Sequence, residues 1–302
     1  MHYTLHQLSI FTKVCELLSI SKVAEAMHLS QPAISIQLKK LQEQFDIPLT
    51  EVIGRQLYVT DFGKEILEVS LDILDRVNLI EETTNKYKGL ISGRLQIAAV
   101  STGKYVIPYF LTSFASAHPQ VDIAVDVTNK NLVVNSLSNN ETDFALVSVM
   151  PDLSLDKIKL MDNVLQLVVG PQFYHLGAKI KSGELQELPL ILREKGSATR
   201  MAMENYLTKK KITNYKSMVL TSNEAVKQAV MAGLGVSIMP LIGLRDQLKL
   251  DLLRCVQCPN LPIHTQWNLV WSKGKQFSPA ANAFVEHLKK YKEDIIEESF
   301  LV

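Results

Sequence analysis

Residues Ile20 to Leu41 read I-S-K-V-A-E-A-M-H-L-S-Q-P-A-I-S-I-Q-L-K-K-L. Val23, Ala24 and Met27 recur at helical spacing, and the pattern breaks at His28-Leu29-Ser30. Ser30 suits an N-cap, because its hydroxyl can accept an orphan amide of the next helix. Pro32 then falls in the first turn, where its missing N–H costs nothing. Ala33, Ile34, Leu38 and Leu41 form an apolar face, which leaves Gln31, Ser35, Gln37, Lys39 and Lys40 facing out. A tight turn followed by a polar, donor-rich second helix is what a helix-turn-helix needs to enter a major groove. Gln reads a base edge with two bonds, Ser bonds to either partner, and Lys holds phosphate. Ser30, Gln31, Pro32, Ser35, Gln37, Lys39 and Lys40 are therefore the candidate contacts to double-stranded DNA.

An ordinary αα-corner with a solvated second helix fits the same spacing. The wording separates the two readings. A-x-x-x-H-L-S-Q-P-A-x-S-x-Q-[LI]-K-x-L closely resembles the amino-terminal domain of LysR-type transcriptional regulators, and so do Ile47-Pro48-Leu49 and Gly54 to Gly63. In that family the second run is the wing and the start of a long linker helix. Arg55, at the wing tip, is placed for a phosphate or the minor groove. Three positions depart from the family pattern: Thr50 stands where a Phe is usual, Val52 and Ile36 where an Arg is usual. The first loses an apolar anchor beneath the wing, and the other two remove contacts to DNA.

Leu5, Leu8, Phe11, Val14 and Leu17/Leu18 trace a first amphipathic helix, which closes a three-helix core. From Asp61 to about Gly89 there is no proline, and Gly63 is the only glycine before Gly89. Ile66, Ser70, Ile73, Val77, Ile80, Thr84 and Tyr87 recur at alternating steps of four and three, a heptad seam. Such a helix spans about 40 Å, and Ile66, Ile73, Val77 and Ile80 are expected to face a second copy. A single helix packed on its own domain is the competing reading.

At 302 residues, with 47% hydrophobic and 21% charged, the chain has room for two or three globular domains. No stretch approaches the ~20 apolar residues of a membrane span, and Met1-His2-Tyr3-Thr4 does not start a signal peptide. Three cysteines suggest no disulfide framework, so a reducing cytoplasm is expected. The net charge of +1 offers no bulk attraction to nucleic acid. Lys13, Lys22, Lys39, Lys40 and Arg55 are balanced by Glu16, Glu25, Glu43, Asp46 and Glu51, so affinity must come from placement and from multiple copies.

From Leu95 onward strands and helices alternate. Strands are expected at Leu95–Val100, Val121–Val127, Phe144–Val149, Val164–Gly170, Leu188–Leu192, Met218–Leu220, Val236–Met239 and Gln266–Trp271. Helices are expected at Lys104–Ala117, Leu132–Asn139 and Phe284–Tyr291. The alternation predicts parallel sheets covered on both faces. A block from about 165 to 266 lies between two returns to the first lobe, which leaves a cleft between the lobes.

This half resembles the effector domain of the same family, similar to periplasmic solute-binding proteins. Four phrases resemble the branch that regulates RuBisCO operons: A-V-S-T-G-K-Y-x-x-P at Ala99–Pro108, L-R-E-K-G-S-A-T-R at Leu192–Arg200, S-N-E-A-V-K-Q-A-V-x-A-G-L-G at Ser222–Gly235, and W-x-L-V-x-x-K-G-K-x-x-S-P-A-A at Trp267–Ala281. The expected chain is α+β. Residues 1–61 form a winged helix-turn-helix and 62–91 a linker and dimerisation helix. Residues 92–302 form a two-lobed α/β effector domain (lobe I about 92–164 and 267–302, lobe II about 165–266). The resemblance implies a homodimer or homotetramer.

Three strand-to-helix turns bring hydroxyls beside cations: Ser101, Thr102 and Lys104; Ser197, Thr199 and Arg200; Ser222 and Asn223, with Lys227 a turn on. Free amides and helix dipoles at such turns attract anions, and a guanidinium forks onto phosphate or carboxylate. A small anionic metabolite between the lobes is the expected ligand, with Ser148 a further contact. Plain helix capping by Ser101, Ser197 and Ser222 is the competing reading. Cys255 and Cys258 have half a metal site's spacing, but only His264 is near, so no metal is expected. No nucleophile elbow, phosphate loop or carboxylate pair stands out, so neither catalysis nor a cofactor is expected. A solute-binding protein with a helical oligomerisation module, or an enzyme using the cleft, would be the alternatives.

Overall fold

The computed structural model describes residues 3–54, 56–87 and 90–300. The chain separates into two compact units, Met1–Gly89 and Leu90–Val302. Among the described residues no helix is long and apolar enough to cross a membrane.

The first unit opens with helices α1 (Leu5–Leu17), α2 (Ile20–Ala26) and α3 (Gln31–Gln42). Ser19 caps α2, and Ser30 caps α3 with its hydroxyl accepting from the Ala33 amide at 3.4 Å. Pro32 sits in the first turn of α3. Leu8, Ile10, Phe11, Val14, Val23, Ile34, Leu38 and Leu41 meet in one dry core. The wing follows as the antiparallel hairpin β1 (Thr50–Ile53) and β2 (Gln56–Val59), with Gly54 at φ +56°. Arg55 lies outside the described residues. Thr50 does not leave a hole beneath the wing: its amide and hydroxyl both donate to Gln42 Oε1, at 3.0 and 2.6 Å. A polar strap to the end of α3 thus stands where an apolar anchor was missed.

Helix α4 (Asp61–Tyr87) runs for 27 residues. It starts tight against the wing, since a Cβ on Gly63 would lie 2.0 Å from the Leu49 carbonyl oxygen. The expected seam is divided. Ile66 and Ile73 are half-buried against the core of their own unit, so this part follows the competing reading of a helix packed on its own domain. The reason is that α4 leaves the wing alongside α1, and its first turns must cover the three-helix core. Val77 is half-buried, whereas Ile80 is 68% exposed and Val69, Leu71 and Leu79 also lie open.

The second unit contains β3 (Gly93–Val100), α5 (Ile107–Ala117), β4 (Val121–Thr128), α6 (Lys130–Ser138), β5 (Phe144–Val147), β6 (Leu155–Val169), β7 (Leu190–Arg193), α7 (Ala198–Lys209), β8 (Ser217–Leu220), α8 (Asn223–Met231), β9 (Ser237–Pro240), α9 (Arg245–Lys249), β10 (Arg254–Val256), β11 (Ile263–Ser272) and α10 (Pro279–Phe300). The all-parallel expectation is corrected. One mixed sheet runs β10-β6-β11-β5-β3-β4, with β9 also on β6. β3 pairs β4 and β5 in parallel, but β6 pairs β9, β10 and β11 antiparallel, and β11 pairs β5 antiparallel. β7 and β8 form a separate parallel pair. The cause is β6, which runs for 15 residues and keeps one direction while serving both lobes.

Two main cores flank these long strands. Phe110, Phe114, Phe144, Leu160, Trp267 and Phe284 belong to one; Leu165, Leu167, Leu192, Met203, Tyr206 and Ile263 belong to or pack on the other. The division falls between Leu160 and Leu165 on β6 and between Ile263 and Trp267 on β11. A register shift sits at Trp267/Asn268. Val168, Ile191, Val226, Val230 and Met239 fill a third cluster under α8.

The burial of Ile73 gives a direct test. Ile73→Glu would place a carboxylate against that core and should cost on the order of 2 kcal/mol. Urea unfolding followed at several protein concentrations checks it. A loss that vanished on dilution would return Ile73 to a partner interface.

Candidate functional site

The two units offer different surfaces. On α3, Ser30, Gln31, Pro32, Ser35, Lys39 and Lys40 are exposed, along one helix bounded by the wing. Gln37 is not free in the same way: it is half-buried, and its Oε1 accepts from Gln7 Nε2 at 3.2 Å. Gln7 is itself buried and completes the cap of α1 with Thr4, so Gln37 ties the outer helix to the core. Ile36 is 53% exposed beside Ser35, an apolar contact in place of a charged one.

In the second unit the carboxyl ends of β3, β4 and β7 open on one cleft. β3 ends in a single 3-10 turn, Ser101–Tyr105, where a longer helix had been expected from Lys104. Gly103 packs closely there: a Cβ would lie 3.0 Å from Leu146 Cδ2 and 3.1 Å from Ala99 Cβ. Opposite, β7 ends at Arg193, and Gly196 takes φ +87° before α7 begins. A recess of about 20 Å³ lies between Ser101, Thr102, Asn129, Arg193, Ser197 and Thr199. It adjoins a cavity of about 510 Å³ that also shares Ser101, Asn129, Arg193 and Glu194, and reaches Lys104, Lys195 and Ser222.

Arg193 is the centre of this cleft, and the sequence reading did not single it out. It is 4% exposed. Its Nε and Nη2 donate to the two carboxylate oxygens of Glu194 at 2.7 and 2.8 Å. Nη2 also donates across to Ser101 Oγ at 3.0 Å. A second bond between the lobes runs from the Tyr105 hydroxyl to Glu224 Oε2 at 3.2 Å. Burial, then the charge of Glu224, pushes the Tyr105 phenol up to about 12. Hydrogen bonds from Lys227 and Gln228 hold the Glu224 carboxyl below its usual range.

The expected contacts sort as follows. Ser101, Thr102, Ser197 and Thr199 come together in the small recess, with Lys104 and Ser222 on the larger cavity. Ser197 makes no side-chain cap to its helix, and Ser101 bonds Arg193 instead of capping; only Ser222 follows the capping reading, accepting from the Ala225 amide at 3.0 Å. Asn223 is 4% exposed and does not line either recess. Its amide oxygen and nitrogen are both without a hydrogen-bond partner. Lys227 pairs with Glu224 at 2.8 Å.

Besides Asn223, two further placements differ from expectation. Ser148 lines a different recess, of about 610 Å³, with Lys157, Lys159, Asp162, His264 and Asn268 on the long strands. Arg200 lines none of these cavities: Nε is held by Glu204 Oε1 at 2.7 Å and Nη1 by the Arg193 carbonyl at 2.9 Å. It faces its own helix and the end of β7, so it braces Arg193. The clue in the sequence was a charged residue closing the apolar run Leu190-Ile191-Leu192. Among the described residues no group of three or more His, Cys, Asp or Glu gathers as a metal site. Cys258 is buried with the Tyr206 hydroxyl 3.1 Å from its sulfur, and Cys255 is exposed.

Comparison with known proteins agrees with this division. Residues 5–64 match the bacterial regulatory helix-turn-helix protein, lysR family, and residues 88–293 match the LysR substrate binding domain. The chain is 36% identical over 288 residues to the RuBisCO operon transcriptional regulator of Allochromatium vinosum, covering 95% of each. It is similar to the regulatory domain of CcmR from Synechocystis PCC6803, solved in complex with 2-PG, at 29% identity and a TM-score of 0.63. That match covers 67% of this chain and 99% of the other. Full-length CbnR, solved with its target DNA, shares the fold at a TM-score of 0.70 and 22% identity, over 95% of this chain and 99% of that one.

The brace has its own test. Arg200→Ala should lower stability by about 1.5–3 kcal/mol, the value of hydrogen bonds to a charged group. The thermal unfolding midpoint reports it. An unchanged midpoint with lost anion binding would restore Arg200 as a ligand contact.

Proposed function

The chain belongs to the LysR family of bacterial transcriptional regulators, and on that footing we propose how its parts divide the work. Residues 1–61 read a double-stranded operator from the major groove. Residues 62–91 pair two chains. Residues 92–302 bind a small anionic metabolite between lobes of about 92–164 with 267–302 and 165–266. Two dimers make the working tetramer, which acts in the cytoplasm and catalyses nothing. The solute-binding alternative has no use for the match at residues 5–64.

For DNA, the support is α3, whose exposed residues include Gln31, Ser35, Lys39 and Lys40. Gln31 and Ser35 meet base edges; Lys39 and Lys40 hold phosphate, and Arg55 extends the contact from the wing. Ser30 and Pro32 set the first turn. Pairing uses the open part of α4, where Val69, Leu79 and Ile80 are exposed and Val77 is half-buried beside them. The double variant Gln31→Ala with Ser35→Ala should lose operator selectivity, at about 1–3 kcal/mol for each base contact. Footprints on specific and scrambled DNA read this. An unchanged preference would take both residues out of the reading role.

For the effector, the observation that carries the reading is Arg193, a guanidinium 4% exposed in a cleft with Ser101, Thr102, Ser197 and Thr199 around it. Guanidinium and hydroxyls together suit a phosphate or carboxylate. The 2-PG bound by the Synechocystis relative belongs to this chemical class. Lys104 and Ser222 extend the contact along the larger cavity. Titration calorimetry with 2-phosphoglycolate should show binding that Thr102→Ala and Arg193→Gln each weaken at least tenfold, which equals about 1.4 kcal/mol. Tighter binding of neutral sugars or amines would defeat the anionic reading.

A further inference from the structure

We infer that Glu194 sets the affinity threshold of the cleft: its carboxylate is a built-in competitor for the acidic group of the effector. The inference rests on the reading that an anion binds at Arg193. Neighbouring side chains on a strand point to opposite faces, so a two-bond fork between residues 193 and 194 needs a special turn. The chain supplies one. β7 stops at Arg193, and a turn opens at Glu194, whose carbonyl accepts from the Ser197 amide at 3.2 Å. Glu194 then folds back, with Oε2 2.7 Å from Arg193 Nε and Oε1 2.8 Å from Nη2. These are the two nitrogens through which an incoming carboxylate could fork in the same way.

Burial makes the fork consequential. A guanidinium 4% exposed is costly without a partner. Glu194 supplies that partner from the adjacent residue, so its effective concentration at Arg193 far exceeds that of a free metabolite. Its side chain is 23% exposed and lines both recesses, so it has solvent and Lys195 to move toward. Binding is therefore an exchange of one anion for another. A simple carboxylate gains nothing over Glu194, having the same two oxygens and also losing its freedom on binding. A phosphate carries more charge and three acceptor oxygens. It can take the Arg193 fork while its third oxygen meets the hydroxyls of Ser101, Thr102 or Ser197 in the same recess. The exchange thus sets a threshold that phosphorylated acids, with these further contacts, pass and plain carboxylic acids do not.

Calorimetry on the full chain tests this with three probes: 2-phosphoglycolate, inorganic phosphate and glycolate. In Glu194→Gln the affinity for all three should rise roughly tenfold or more, the scale of a lost charged hydrogen bond. The displacement cost is common to all three, so glycolate, which has the fewest further contacts, should pass from undetectable to measurable binding. A merely structural role would not raise the affinity for any of them. Glu194→Ala gives the same reading should the Gln variant unfold, and a thermal melt of each variant separates the cases. Constants for Glu194→Gln equal to or weaker than those of the wild type overturn the inference. The anion reading then still stands where Arg193→Gln abolishes binding. If the wild type binds none of the three probes through Arg193, both fall together.

Discussion

A guanidinium shut away from water must have partners at every moment, and the cleft is arranged around meeting that demand for Arg193. Glu194 supplies two bonds, the Thr221 carbonyl a third at 3.4 Å, and Ser101 a fourth from the other lobe. Each needs local structure of its own. Ser101 is in reach because β3 ends in a tight 3-10 turn, which Gly103 lets settle on Ala99 and Leu146. Thr221 is in reach because β8 runs parallel to β7 and ends level with it, Leu220 against Arg193, so that Thr221 is the next residue. Arg200 fixes the Arg193 carbonyl from α7. The cation is thus held from both ends of its own residue.

The DNA-binding unit was largely legible because each of its signals is local. Ser30 and Pro32 mark the start of α3, and the spacing of Ile34, Leu38 and Leu41 marks its inner face, all within one helix. Gln37 escaped because its partner, Gln7, lies on α1, and side-chain bonds between helices leave no trace in periodicity. The seam of α4 is divided for a related reason. A spacing of three and four describes a face without saying what covers it. For Ile66 and Ile73 the cover is the chain's own core.

In the second unit the strands were legible and their directions were not. Alternating strands and helices suggest parallel crossovers, which holds for β3, β4 and β5. The antiparallel partners β6 and β11 are separated by most of the second lobe, so no turn or hairpin signal joins them. Their burial also lacks a clean period, since each changes core partway along. The site suffered from the same blindness to distance. Arg200, at a strand-to-helix turn, looked available, and Arg193 was not singled out. Only the folded chain turns the first back onto its own helix and opens the second to the cleft.

How such a cleft could report its state follows from which bonds span it. Ser101–Arg193 at 3.0 Å and Tyr105–Glu224 at 3.2 Å join the lobes, and both lengths depend on lobe separation. The Arg193–Glu194 fork lies within one lobe and does not. A ligand biases a conformational equilibrium only by binding its two states unequally. An anion that merely replaced Glu194 on Arg193 would bind at any separation and transmit nothing. One that also engaged Ser101 or Thr102 would favour the separation at which both sides reach it. Reciprocity then requires that whatever holds the lobes at that separation tightens the ligand by the same factor. On the proposed reading, the hydroxyls of the 101–102 turn would be where recognition becomes signal, and Arg193 where the affinity comes from.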